Sequence, residues 1–124
     1  MTYNYHGYTP QQGDLTTLTF DPQEGREIKK RRPALVMSST AYNSKTGFVQ
    51  VCPITHCYRH YPGYVTLPKG LRAEGQVSAI QLRSFDFTSR DRNIRKIDEI
   101  DQRTFGLVAQ YIRYIFNFNA VLNW

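Results

Sequence analysis

The sequence predicts a mainly β, α+β fold: a small antiparallel sheet curled into a barrel and capped by a C-terminal amphipathic helix. Three observations predict it. Short stretches rich in Thr, Val, Ile and aromatic residues alternate with Gly, Pro, Asp and Asn turn formers from residue 13 to residue 82. The apolar period then lengthens, with Ile100, Thr104, Val108, Ile112 and Ile115 recurring every three or four residues. Finally, 124 residues with a 40% apolar share suit a single domain, 1–124, with its own core.

The elements follow in order. Residues 1–12 are polar, aromatic and rich in turn formers, and read as a loosely attached arm. After a turn at Gly13-Asp14, Leu15–Phe20 sets apolar side chains among threonines and forms a first strand. Asp21-Pro22-Gln23-Glu24-Gly25 breaks it, and a polar loop runs to Arg32. Pro33–Ser38 is a short apolar run, a buried strand whose proline stands at its start and so removes no interior ladder bond. A turn over Asn43–Gly47 leads to an alternating strand, Phe48–Ile54. Tyr64–Leu67 and Val77–Leu82 are further strands, and Ile94–Ile97 is a short edge strand. A helix is expected from about Glu99 to about Phe116, with Asp98 as its N-cap and acids in its first turn. The apolar tail 117–124 is expected to pack on something, a second subunit included.

Composition narrows the partners. Sixteen Lys and Arg against ten Asp and Glu give a net charge of +6, which suits nucleic acid, an anionic surface or an acidic protein. Two cysteines five residues apart make no disulfide framework. No run approaches the roughly 18 apolar residues of a membrane span, and Met1–His6 has no leader pattern. A soluble cytoplasmic protein without a cofactor is the expectation.

The stretch Lys29-Lys30-Arg31-Arg32-Pro33 runs four cations into a buried strand, which would fix Arg32 at the rim of a rigid scaffold. If strand 33–38 pairs with strand 48–54 through the 39–47 connection, the hairpin is antiparallel and Arg32 meets Thr55 at one sheet edge. An arginine fork, a hydroxyl and a nearby carboxylate such as Glu27 can act on a phosphodiester. In RNA the ribose 2′-hydroxyl is already the nucleophile, so such a site needs no metal. The same spacing also fits a surface cation beside a strand-end threonine.

Cys52, His56, Cys57 and His60 are zinc-ligand types, but His56 and Cys57 are adjacent and point apart on extended chain. Cys52 reads as core, and His56 and His60 as loop residues able to act as general acids. Tyr58-Arg59-His60-Tyr61-Pro62-Gly63-Tyr64 interleaves aromatics with cations, which suits unpaired bases and equally suits packing on the sheet. Arg90, Arg92, Arg95 and Lys96 read as an exposed face of little functional meaning.

Gly13-Asp14-Leu15, Phe20-Asp21-Pro22, Gly25-x-Glu27, Arg32-Pro33-Ala34-Leu35-Val36, Tyr42-Asn43, Thr46-Gly47, Pro53-Ile54-Thr55 and Gln81-Leu82-Arg83-Ser84-Phe85-Asp86 occur in that order. Together they resemble the MazF/PemK family of toxin endoribonucleases, over roughly residues 12–116. The resemblance implies an SH3-like β-barrel, a homodimer, and metal-independent cleavage of single-stranded RNA to 2′,3′-cyclic phosphate and 5′-hydroxyl ends. It implies neutralisation by a cognate antitoxin, acidic and partly disordered. Arg32 and Thr55 match the family's catalytic pair and Glu27 the glutamate before it. Lys29, Lys30, Arg31, His56, Tyr58, Arg59, His60, Gln81 and Arg83 are the expected RNA contacts. A related branch uses another acid and base; its positions hold Ile80, Ser78 and Arg26 here. The loop after Thr55 departs from the family, so no cleavage sequence carries over. Rival readings are a non-catalytic gyrase poison like CcdB on the same fold and a module that only binds RNA or antitoxin.

Overall fold

The computed structural model describes residues 1–21 and 30–122. In chain order they form β1 (Asp14–Asp21), β2 (Lys30–Val36), α1 (Thr40–Thr46), β3 (Phe48–Thr55), β4 (Tyr64–Thr66), β5 (Gln76–Ser78), β6 (Arg83–Asp86), β7 (Arg95–Glu99) and α2 (Gln102–Phe116). Short 3-10 turns cover Ala79–Gln81 and Phe118–Ala120. The seven strands make one antiparallel sheet in the order β4-β5-β3-β2-β1-β7, with β6 pairing β3 off that path. No pairing among the described residues joins β4 to β7, so the expected curled, helix-capped antiparallel sheet is present and stays open.

Alternation along the strands explains why Pro33–Ser38 reads as an unbroken apolar run: both faces of β2 are covered. Leu35 joins Leu15, Cys52, Ile54 and Val77 on one face, which α2 closes with Val108 and the half-buried Phe105 and Ile112. Ala34 and Val36 join Leu18, Phe20, Val49, Val51, Phe85, Phe87 and Ile94 in a second core inside the curl.

Several local expectations shift. Residues 40–46 are helical, not a turn: Ser39 caps α1 through Tyr42 N–H at 3.2 Å, and Gly47 ends it at φ 77°. Asn43 is buried and donates to the Pro10 carbonyl at 2.8 Å. The expected strand Val77–Leu82 is split. β5 sets Ile54 opposite Val77, whereas β6 sets Val51 opposite Arg83. The register slips along β3, and the three-residue turn Ala79–Gln81 takes up the slip. The helix starts at Gln102, because residues 95–99 are held in β7 as an edge strand against β1. Its cap is therefore Asp101, not Asp98: the Asp101 carboxylate accepts from Thr104 N–H and Oγ1, both at 2.9 Å.

The arm is also not loose. Tyr3 N–H donates to the Ser44 carbonyl at 2.8 Å, Tyr5 and Tyr8 exchange backbone bonds, and the Tyr8 hydroxyl donates to Asp14 at 2.6 Å. Burial, followed by that carboxylate, pushes the Tyr8 phenol up. The tail takes the opposite course: Phe118, Val121 and Leu122 are exposed, and Phe118 stacks on Phe116 at 5.6 Å. Among the described residues no helix is long and apolar enough to cross a membrane.

Candidate active site

Proline chemistry shapes the Arg32–Thr55 edge. The β2–β3 ladder runs Val36↔Val51, Leu35↔Cys52, Ala34↔Pro53 and ends there. The next position on β2 is Pro33, which has no N–H to continue it. Extending the register by two residues sets Arg32 opposite Thr55. Alternation then aims both side chains to the face of Ala34 and Val51. The two residues therefore stand at the mouth of a fork whose stem is a regular ladder. Arg32 is exposed, and on its other side it pairs with the buried Leu18 of β1.

Thr55 is held in two ways. Its Oγ1 accepts the Cys57 N–H at 3.1 Å, which leaves the hydroxyl proton free to donate toward the fork. Its backbone pairs with Gln76 of β5, and a side-chain carbon on neighbouring Gly75 (φ 123°) would collide with the Thr55 carbonyl. Only glycine lets β5 approach this closely.

The loop after Thr55 is clamped by a residue the sequence reading passed over. Gln76 is buried, and its amide accepts Arg59 N–H at 2.7 Å and donates to Arg59 O at 3.1 Å. A glutamine at the start of a buried strand was the signal, since a buried amide must find partners. The clamp leaves Tyr58 and Tyr61 outward, 61% and 60% exposed, with the Arg59 guanidinium 6.0 Å from the Tyr61 ring. His60 is exposed on the same loop. His56 goes elsewhere: it lines a cavity of about 420 Å³ with Thr17, Pro33 and Arg72, on the face opposite Arg32 and Thr55.

The other expected contacts are spread around the rim. Arg83 lies over the Phe20 and Phe85 rings at 5.6 and 5.1 Å, and Phe20 is two residues along β1 from the Leu18 that faces Arg32. Gln81 is exposed in the 3-10 turn. Arg31 bonds Thr17 Oγ1 at 2.8 Å and Thr17 O at 3.0 Å. Lys30 opens β2, while Arg26, Glu27 and Lys29 lie outside the described residues. Of the zinc-type residues, Cys52 is sealed in the core, where burial pushes its thiol up to about 12, and Cys57 is exposed.

Residues 11–116 match the model of the PemK-like, MazF-like toxins of type II toxin–antitoxin systems. The chain belongs to that family. It is 39% identical over 83 residues to the endoribonuclease toxin MazF of Escherichia coli K12, covering 67% of this chain and 74% of that protein. The fold superposes on MazF from Deinococcus radiodurans with a TM-score of 0.77 at 39% identity, over 89% of this chain and 98% of that one. It also superposes on a MazE–MazF structure from the same organism with a TM-score of 0.81 at 39% identity, over 89% and 97%.

Proposed function

We propose that this toxin is an endoribonuclease that cuts single-stranded RNA at the Arg32–Thr55 fork. The observation that carries the reading is the β2–β3 register, which brings an exposed arginine and a threonine with a free hydroxyl proton to one face. Arg32 donates to the non-bridging oxygens and stabilises the charge that grows on the phosphorane. Thr55 donates from its hydroxyl and orients the phosphate. Glu27 takes the proton of the ribose 2′-hydroxyl, which attacks the adjacent phosphorus as the bond to the 5′-oxygen breaks, and the departing 5′-oxygen takes up a proton from water. The products are a 2′,3′-cyclic phosphate and a 5′-hydroxyl. Because nucleophile and phosphate both belong to the substrate, the step needs no metal.

Unpaired bases stack on Tyr58 and Tyr61, while Lys29, Lys30, Arg31, Arg59 and Arg83 follow the backbone; His60 and Gln81 complete the contacts, and His56, on the opposite face, drops out of the expected set. The active form is a homodimer. An acidic, partly disordered antitoxin folds into the same cationic, aromatic surface and blocks it, as the MazE-bound relative suggests.

Incubation with a long mixed-sequence RNA in EDTA tests this, with mapping of cut sites and of end chemistry. Discrete cuts with cyclic phosphate ends are expected, and none in Arg32→Ala. Uncut RNA beside inhibited gyrase would replace the reading with a CcdB-like one.

A further inference from the structure

The N-terminal arm builds a pocket outside the fork. Residues 1–10 precede the family-matched segment, yet they are bonded down along their length. Between the arm and β7 lies a cavity of about 510 Å³ lined by Tyr5, His6, Tyr8, Ile94, Arg95 and Lys96. Its charges are unequal in availability. Lys96 is paired with Glu99 at 2.6 Å and Asp14 at 3.4 Å. Arg95 is exposed, and among the described residues no carboxylate pairs with it. Arg31 is anchored on Thr17 and leans toward the Arg92 carbonyl at 3.4 Å. Its pKa is lowered first by burial and then by repulsion from Arg95. Both cations meet at Thr17, which Arg31 bonds and with which Arg95 pairs across β1 and β7.

The walls supply the other half of a nucleotide site. Tyr5 and His6 form an edge-on aromatic pair at 4.4 Å. Three non-glycine residues in the described chain have positive φ; of these, His6 (51°) lines the cavity, while Asn93 (46°) adjoins it and accepts from the Tyr5 hydroxyl at 3.3 Å. Such conformations cost energy and concentrate at ligand clamps. Strand order sets the pocket near the fork: Arg31 adjoins Arg32 on β2, and Thr17 of β1 pairs with Pro33 on one side and Arg95 on the other. Two strand spacings separate β2 from β7 by about 10 Å.

We propose that this pocket is a second RNA subsite that holds an unpaired nucleotide flanking the cut, with its phosphate between Arg31 and Arg95 and its base against the Tyr5–His6 pair. The inference rests on the RNA-cleavage reading. The test compares two RNAs with the same cut site, one trimmed to the cleaved sequence and one extended by unpaired nucleotides on both sides. The wild type should prefer the extended RNA by roughly tenfold in kcat/KM, through KM, the worth of one stacked base. In Arg95→Gln and in His6→Gly, which keeps the left-handed turn, the extended-to-trimmed ratio should fall close to one at wild-type Tm. A wild type indifferent to length, or variants that keep the preference, would overturn the subsite while leaving the fork intact. If neither RNA is cut by the wild type, the cleavage reading itself fails.

Discussion

The two faces of the sheet are closed by different means. On one, α2 lies over Leu15, Leu35, Cys52 and Ile54, and the covering is a helix with its own cap. On the other, the sheet curls over itself and the arm fills the gap with Tyr5 and Tyr8. The first face is sealed by packing, so its residues act on stability. The second opens at its rim, where Arg32 stands beside Leu18 and Arg83 lies over Phe20 and Phe85. There an apolar core ends directly in arginine side chains, with the Arg83 guanidinium held over two of its rings. A charge set against rigid, low-dielectric walls orients a phosphate better than one on a mobile loop.

If the division is right, substitutions should separate along it. Arg32→Ala, at the open rim, should lower RNA cleavage by at least about 10²–10³-fold, as for loss of one transition-state donor, with Tm unchanged. A matching fall in Tm would dissolve the contrast. Leu35→Ala, under α2, should do the reverse and cost about 2–5 kcal/mol in urea unfolding, while the molecules still folded keep their cleavage rate. Gln76→Val lies between the two regimes. It frees the Arg59 backbone, so KM and the choice of cut sites should change more than kcat, and Gln76→Glu, which still accepts from Arg59 N–H, should recover part of the loss. Unchanged cut sites in Gln76→Val would mean that the clamp is merely structural.

The smallest effect is a pH dependence at the α2 cap. Bonds from the Thr104 backbone and hydroxyl hold the Asp101 carboxyl below its ordinary value. A depressed folded pKa means the cap is fully effective above the ordinary carboxylate range and is lost as pH falls through the folded value. Asp101→Asn should flatten that acid limb of the stability curve, and Asp101→Ala should remove about 1 kcal/mol at neutral pH. Cleavage per folded molecule should stay constant in both.

The sequence made the strand hairpin readable because it depends on near neighbours: the apolar run after Pro33, the alternation from Phe48, and the connection between them. Helix α2 was legible from its period, but its start was not. Asp98 and Asp101 are equally good caps locally, and only the pairing of residues 95–99 with β1 decides between them. The break at Ala79–Gln81 was hidden for the same reason, since it answers a register slip along β3 that no local pattern records. Gln76 and Gly75 owe their roles to Arg59 and Thr55, which are distant in sequence and adjacent only across strands. The arm was misjudged because its polar composition hides a buried network through Asn43 and Asp14.

A curled sheet that does not close keeps two free borders, and each could recruit a strand from another molecule. Here one border, β4, is three residues long, and the other, β7, begins with Arg95 and Lys96, both exposed. Brevity and charge are the usual guards against intermolecular strand addition. The cations of β7 thus guard the edge of a protein with an exposed apolar tail, and neutralising both together should make it aggregate on concentration.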